Sequence, residues 1–270
     1  MIADITFGQF FPAKSPIHRM DPRVKLVLVV LMIVFMFLAK NFFGLGVMVA
    51  FTVAAMLLSK VPMKLYIKSV KPVLFIIAFT SLINLFYGSG EPLWQFGFLR
   101  ITLNGIFNAL FIVIRITALI MISALLTFTT SPTQLTDAIE RLLKPLSKLH
   151  VPVHEFAMMM TIALRFIPTL LEETDKIMSA QKARGADLES GGLIDRVKAL
   201  IPILIPLFVS AFRRAFDLAT AMECRCYHGG EGRTKMKVLH VSGGDVLSLG
   251  LSCLACAVVI VCNFVFPSLR

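Results

Sequence analysis

Residues 103–128 read LNGIFNALFIVIRITALIMISALLTF, an apolar run broken by one charge, Arg115. As a helix rising 1.5 Å per residue, about 20 such residues cross the ~30 Å hydrocarbon layer of a bilayer. An arginine at that depth costs about 2.5–3.5 kcal/mol on insertion scales, so Arg115 is expected to face other helices or a wet cavity. A substrate or gating contact is one reading. Packing against a neighbouring helix, bonded to its carbonyl or hydroxyl groups, is preferred, because no acidic residue lies at a similar depth. The whole chain has the same character: 57% of its 270 residues are hydrophobic and 16% charged, against about 25% charged in soluble chains. That balance excludes an ordinary cytosolic enzyme, a disordered scaffold and a small disulfide-stapled domain.

Working outward, four more stretches qualify as spans: Val24–Ala39, Phe42–Leu58, Val73–Tyr87 and Val246–Phe266. The third is short, with Pro72 expected to fix its start and a start nearer Val70 as the alternative. Trp94, the only tryptophan, falls in the loop after it, where an interfacial anchor belongs. The expected fold is all-α: about five transmembrane helices plus a cytoplasmic block of amphipathic helices.

The net charge of +11 is spread between the apolar runs, as membrane topology requires, and does not form a nucleic-acid-binding module. Lys14, Arg19, Arg23 and Lys25 precede the first span; Lys60, Lys64, Lys68 and Lys71 fill the second loop; 15 more lie in 129–245. Only Lys40, Arg100 and Arg270 fall on the other side. This bias places the N-terminus and 129–245 in the cytoplasm and, with five spans, the C-terminus outside. The expected layout is a cytoplasmic segment at 1–23, four spans within 24–128, a cytoplasmic block at 129–245, and a last span with an external end at 246–270. No removable signal peptide is expected, and the five cysteines do not read as a disulfide framework.

Residues 129–245 hold 28 of the 43 charged residues yet retain apolar runs. Thr130–Ser131–Pro132 is a helix start, and an amphipathic helix is expected to about Leu149. A second runs from near Pro152 to Lys182, and a third from about Leu193 to Arg225, with Pro202 and Pro206 expected to bend or divide it. Ala199–Phe212 comes near to a span, but its two prolines and flanking basic residues keep it out of the count. These helices are expected at the membrane face or against a partner.

The second and third of these helices end alike. Ser179–Ala180–Gln181–Lys182–Ala183–Arg184 aligns with Thr220–Ala221–Met222–Glu223–Cys224–Arg225 at an offset of 41. Two arginine-bearing helix ends are common by themselves, since a basic last turn suits the helix dipole and glycine suits the turn beyond. Two copies with matching flanks point to a shared function. The same alignment sets Glu172, Glu173 and Lys176 against Arg213, Arg214 and Asp217, and Lys182 against Glu223. Opposite signs at corresponding positions predict that the two helices touch, with the charges fixing register more than stability.

No phosphate-binding loop is present, and Gly229–Gly230–Glu231–Gly232–Arg233–Thr234 lacks its lysine and preceding strand. His154–Glu155 lacks a second histidine four residues on. Cys224–Arg225–Cys226–Tyr227–His228 has the wrong spacing for usual zinc sites. No metal site and no catalytic set are expected, and the chain does not carry its own energy source.

Ser15–Pro16–Ile17–His18–Arg19–Met20–Asp21–Pro22–Arg23–Val24–Lys25–Leu26 resembles the N-terminal signature of the transmembrane T component of energy-coupling factor (ECF) transporters, with His18, Asp21, Pro22 and Arg23 at its centre. Twin Ala-Arg-Gly-type motifs ending two cytoplasmic helices are that family's other mark. Ala183–Arg184–Gly185 matches in full; Cys224–Arg225–Cys226 keeps only the central arginine, and the loss of glycine at 226 predicts a different helix ending there. The resemblance spans nearly the whole chain.

It implies a bacterial ABC-type importer of vitamins or other micronutrients in the cell membrane. The T component would join two ATPase subunits, identical or different, to one or more separate substrate-binding S components. The arginine motifs would dock into the ATPases, which hold ATP and Mg2+; this chain would bind no cofactor and be no enzyme. Apolar faces including Phe156, Met158, Met159, Met160, Ile203 and Phe208 would seat the S component, with the methionines adaptable to changing partners; ordinary core filling is the other reading of that methionine cluster. The signature at Ser15–Lys25 is expected either to contact a partner or, preferably, to lock the base of the first span. A self-contained secondary transporter and a membrane enzyme acting on lipid, using Asp187, Glu189, His228 or the cysteines, are the alternatives. The first lacks repeated or interrupted spans, and the second lacks a metal or carboxylate cluster.

Overall fold

A computed structural model describes residues 10–86, 92–96, 99–186, 192–230 and 239–265. Side-chain caps open the first two helices. Ser15 opens α1 (Pro16–Arg19) by accepting from the His18 N–H, and Asp21 opens α2 (Pro22–Leu38) by accepting from the Arg23 N–H, with Pro22 in the first turn, where no N–H is needed. Helix α3 (Phe42–Ser59) ends at Lys60 in the left-handed region (φ 56°). Helix α4 (Met63–Val70), a 3-10 turn (Lys71–Val73) and α5 (Leu74–Phe86) form one helical run. Pro72 therefore does not start the third span. It cannot donate to a carbonyl one turn back, and the chain tightens into 3-10 geometry and continues.

The segment after α5 contains a two-stranded antiparallel hairpin, β1 (Pro92–Phe96) and β2 (Leu99–Thr102), with a register shift between Pro92 and Trp94. It is the one departure among the described residues from an all-helical chain. The anchoring expected of the Trp94 side chain, like the expected span end at Tyr87, lies outside the described parts. Thr102 then caps α6 (Leu103–Thr129), accepting from the Gly105 N–H. Beyond it lie α7 (Pro132–Leu143), a 3-10 turn (Lys144–Leu149), α8 (Val153–Ala183), α9 (Leu193–Glu223) and α10 (Gly243–Val265).

Among the described residues, five helical runs are long and apolar enough to cross a membrane: Phe42–Ser59, Met63–Phe86, Leu103–Thr129, Val197–Glu223 and Gly243–Val265. The set differs from expectation at two places. Helix α2 has 17 residues, at the lower limit for a span. Helix α9, whose two prolines argue against a span, stays helical through Pro202 and Pro206 and meets the length and composition requirement.

The chain divides into two compact units, one comprising Gly8–Ala138 with Val238–Arg270 and the other containing Ile139–Lys237. The first has its core on helical faces at three- and four-residue spacing: Val29, Met32 and Met36 on α2, Leu45, Met48 and Met56 on α3, Ala118, Ile122 and Leu125 on α6. Because lipid is as apolar as leucine, close packing rather than water exclusion holds such helices together. A Cβ on Gly105 would lie 2.7 Å from the Leu85 carbonyl oxygen, so α5 and α6 approach as only glycine allows.

Polar contacts tie both ends of this bundle. At one end Asn41 donates to the Cys262 carbonyl (2.8 Å) and Asn263 to the Leu38 carbonyl (2.9 Å). Arg115 donates to the Ala39 carbonyl and lies over the Phe111 ring at 4.5 Å. It is the packed arginine anticipated, its charge directed at a helix-terminal carbonyl and an aromatic face.

Candidate functional site

The two arginine-bearing helix ends have the same backbone. At the end of α8 the Gly185 N–H bonds the Lys182 carbonyl (3.0 Å) and the Ala186 N–H bonds the Gln181 carbonyl (3.0 Å), with Gly185 at φ +87°. At the end of α9 the Cys226 N–H bonds the Glu223 carbonyl (2.9 Å) and the Tyr227 N–H bonds the Met222 carbonyl (3.1 Å), with Cys226 at φ +56°. Both are Schellman endings, which satisfy carbonyls left over by the last turn through one left-handed residue. The different ending expected from the missing glycine is thus corrected. Cys226 adopts the left-handed conformation itself, at a steric cost of roughly 1–2 kcal/mol that glycine would avoid. Arg184 and Arg225 occupy equivalent places one residue before the left-handed position. Ala183, Arg184, Gly185, Cys224, Arg225 and Cys226 are all exposed.

A brace holds α8 against α9. Arg214 donates to the Glu173 carboxylate at 3.0 Å, at the aligned pair of positions anticipated from the charge pattern. A hydrogen bond from Ser210 and the guanidinium of Arg214 hold the Glu173 carboxyl below the usual carboxylate range. Further along, Gln181 Nε2 reaches the Pro202 carbonyl at 3.4 Å. That carbonyl is the one Pro206, lacking an N–H, cannot serve from one turn ahead. Contacts 173–214 and 181–202 rise along one helix and fall along the other, so the two helices run antiparallel. Their arginine-bearing ends point in opposite directions.

The apolar faces expected to seat a partner divide. Phe156, Met159, Met160 and Phe208 are exposed, and Met158 is half-buried. Ile203 is buried, only 4% exposed, and so is corrected out of that surface. The exposed stripe of α9 instead runs through Val197, Ile201, Leu204, Phe208, Phe212 and Phe216, at helical spacing.

The N-terminal signature forms a network within its own unit. His18 Nε2 donates to the Phe11 carbonyl (2.9 Å), which leaves Nδ1 to accept from the Ser15 hydroxyl (2.7 Å). Burial, opposed by the bond to Phe11 and reinforced by Lys25, lowers the His18 pKa below its ordinary value. Arg23 holds both oxygens of Asp21 and donates to the Leu239 carbonyl (3.1 Å). The Asp21 N–H donates to Asp245 (3.2 Å), and Lys25 donates to the Thr129 carbonyl (2.8 Å) and the Thr130 hydroxyl (3.0 Å). The start of α2 is thereby fastened to the end of α6 and the start of α10. Sequence reading missed Asp245. Its signal was the Ser242–Gly243–Gly244–Asp245 pattern of a helix start, and its carboxylate does accept from the Ser242 N–H (2.8 Å). Among the described residues, no three or more His, Cys, Asp or Glu side chains gather as metal ligands would.

Apolar helices of spanning length, with matched arginine-bearing helix ends on a braced antiparallel pair, define a multi-pass membrane component. Residues 13–236 match the sequence profile of the family CbiQ, cobalt transport protein. The chain is 52% identical over 266 residues to the energy-coupling factor transporter transmembrane protein EcfT of Ruminiclostridium cellulolyticum, covering 98% of this chain and 100% of that protein. It is 48% identical over 246 residues to EcfT of Bacillus subtilis, covering 91% and 93%. The chain belongs to the EcfT/CbiQ family of ECF transporter transmembrane components.

Proposed function

We propose that this chain couples ATP hydrolysis by two cytoplasmic ATPase subunits to micronutrient or vitamin uptake through a separate S component. The observation that carries this reading is the pair of matched Schellman ends, each presenting an exposed arginine. A guanidinium is always charged and offers several fixed donors, so at a rigid helix end it suits a groove of acidic side chains and carbonyls. Two such ends fit two ATPase subunits, and ATP-driven movement of those subunits would act on the α8–α9 pair as a lever. The exposed stripes at Phe156, Met159 and Met160 and along α9 around Phe208 would meet the S component, and its binding pocket would choose the substrate.

The chain would lie in the bacterial cell membrane with its N-terminus and the 129–245 segment in the cytoplasm and its C-terminus outside. Helix α9, though long enough to span, would then lie along the membrane face. ATP and Mg2+ would belong to the ATPase partners. The test is mild-detergent affinity purification of the tagged chain from its native bacterium, with mass spectrometry of what accompanies it. Two ATPase chains and one or more small hydrophobic proteins support the reading; a chain that purifies without any ATPase overturns it.

A further inference from the structure

A groove of about 400 Å3 runs between the ends of α2, α3, α6 and α10, beside α1. Its size falls within the range of small-molecule sites, roughly 300–1,000 Å3. The walls are apolar, including Leu28, Val29, Phe51, Leu125 and Leu126. The mouth is formed by Leu58 of α3 and Leu247 and Leu251 of α10, which are 57%, 75% and 56% exposed. Polar groups gather at one end, where Lys25 is held by Thr129 and Thr130 and Asp245 by the N–H groups of Asp21 and Ser242. Arg19 stands on the rim, exposed, and among the described residues nothing in the chain holds its guanidinium.

Water in so apolar a slot would lack hydrogen-bond partners, and an empty slot would forfeit dispersion contacts along its walls. An inserted polypeptide would bury backbone N–H and C=O groups where Lys25 and Asp245 are already engaged. A bilayer supplies a molecule with an apolar chain for the slot and a phosphate for the rim guanidinium. We propose that this groove seats one acyl chain of an anionic phospholipid, with its headgroup phosphate on Arg19. The site requires only that the helices lie in a bilayer, and so it stands or falls apart from the ATPase-docking reading.

Native mass spectrometry of the full-length chain, equilibrated in mixed micelles of phosphatidylglycerol or phosphatidylcholine, tests it. The expected result is one phosphatidylglycerol adduct that survives collision energies removing phosphatidylcholine. Leu251→Trp, which fills the mouth, should lower that adduct at least fivefold. Arg19→Gln should lower it at least threefold and lower phosphatidylcholine retention by a smaller factor, since that lipid's phosphate is already paired with its own choline cation. This exposed position keeps the test meaningful should the tryptophan disturb folding. Equal retention of both lipids, or equal phosphatidylglycerol adducts in all three chains, overturns the proposal. So does a photoreactive residue at Leu247 that, in native membranes, couples to a polypeptide instead of lipid.

Discussion

Arg214 donates to Glu173 across 3.0 Å, and each of these residues stands 11 positions before the arginine that closes its own helix, Arg225 or Arg184. A contact between aligned residues of two similar, antiparallel helices marks a local pseudo-twofold axis, as in an isologous interface. At 1.5 Å per residue each arginine lies about 16 Å along its helix from that axis. Two arginine-bearing ends placed symmetrically about one ion pair would, on the proposed function, suit two related partner subunits, and a firm pivot between them would let movement of one reach the other.

Reversal of this pair tests the pivot. Glu173→Arg and Arg214→Glu should each destabilise the chain by about 0.5–1 kcal/mol, the upper range for a partly exposed pair. The double swap should recover most of that loss. Thermal unfolding of the four chains in a double-mutant cycle measures the coupling, and a coupling of zero would mean the pair does not brace the helices.

Cys226 carries left-handed strain that Gly185 does not. Cys226→Gly should stabilise the α9 ending by about 0.5–1 kcal/mol, the steric relief less the extra entropy that glycine loses on folding. Gly185→Ala should cost a similar amount. Melting temperatures of the two variants, moving in opposite directions, are the expected readout.

At Gly105, α5 and α6 lie too close for a side chain. Gly105→Ala would set a methyl group 2.7 Å from the Leu85 carbonyl oxygen and 3.1 Å from the Thr102 hydroxyl oxygen that caps α6. Neither the backbone nor the cap yields cheaply, so a loss of about 1–3 kcal/mol is expected. A thermal-shift assay on detergent-solubilised protein checks it, with Gly46→Ala, which meets nothing within 4 Å, as the control.

His18 makes stability depend on pH. Its pKa in the fold lies below the ordinary 6.5, so between those two values the unfolded chain binds a proton that the folded chain refuses. Stability should therefore fall as pH drops through about 6.5 toward the lowered value, and level off above it. His18→Gln should flatten this part of the melting-temperature profile between pH 7.5 and 5.

The spans were legible because membrane helices need little more than length and apolarity, and 103–128 supplies both. One contact of α8 on α9 was legible too, since opposite charges at an offset of 41 include the Glu173–Arg214 pair. The alignment did not give the register, because antiparallel helices carry aligned residues such as Lys182 and Glu223 away from each other on either side of that crossing. Other features were hidden for identifiable reasons. A cysteine at 226 conceals a left-handed turn that sequence reading assigns to glycine, since the backbone bonds at 222 and 223 decide the ending. Two prolines in α9 suggest a break, but a helix in the bilayer or against a partner can have a freed carbonyl served from outside, as Gln181 serves Pro202. Burial of Ile203 depends on which face of α9 turns inward, and a helix apolar on most sides does not announce that. Asp245 was overlooked because its partner, the Asp21 N–H, lies 224 residues away.

The central claim is that Arg184 and Arg225 transmit ATPase movement to the membrane unit. The most direct measurement compares uptake and ATPase recovery for Arg184→Ala, Arg225→Ala and the double variant, each with its membrane level confirmed. Each single change should weaken ATPase coupling, and the double change should abolish uptake and ATPase co-purification with membrane insertion intact. Normal uptake by the double variant would contradict the account.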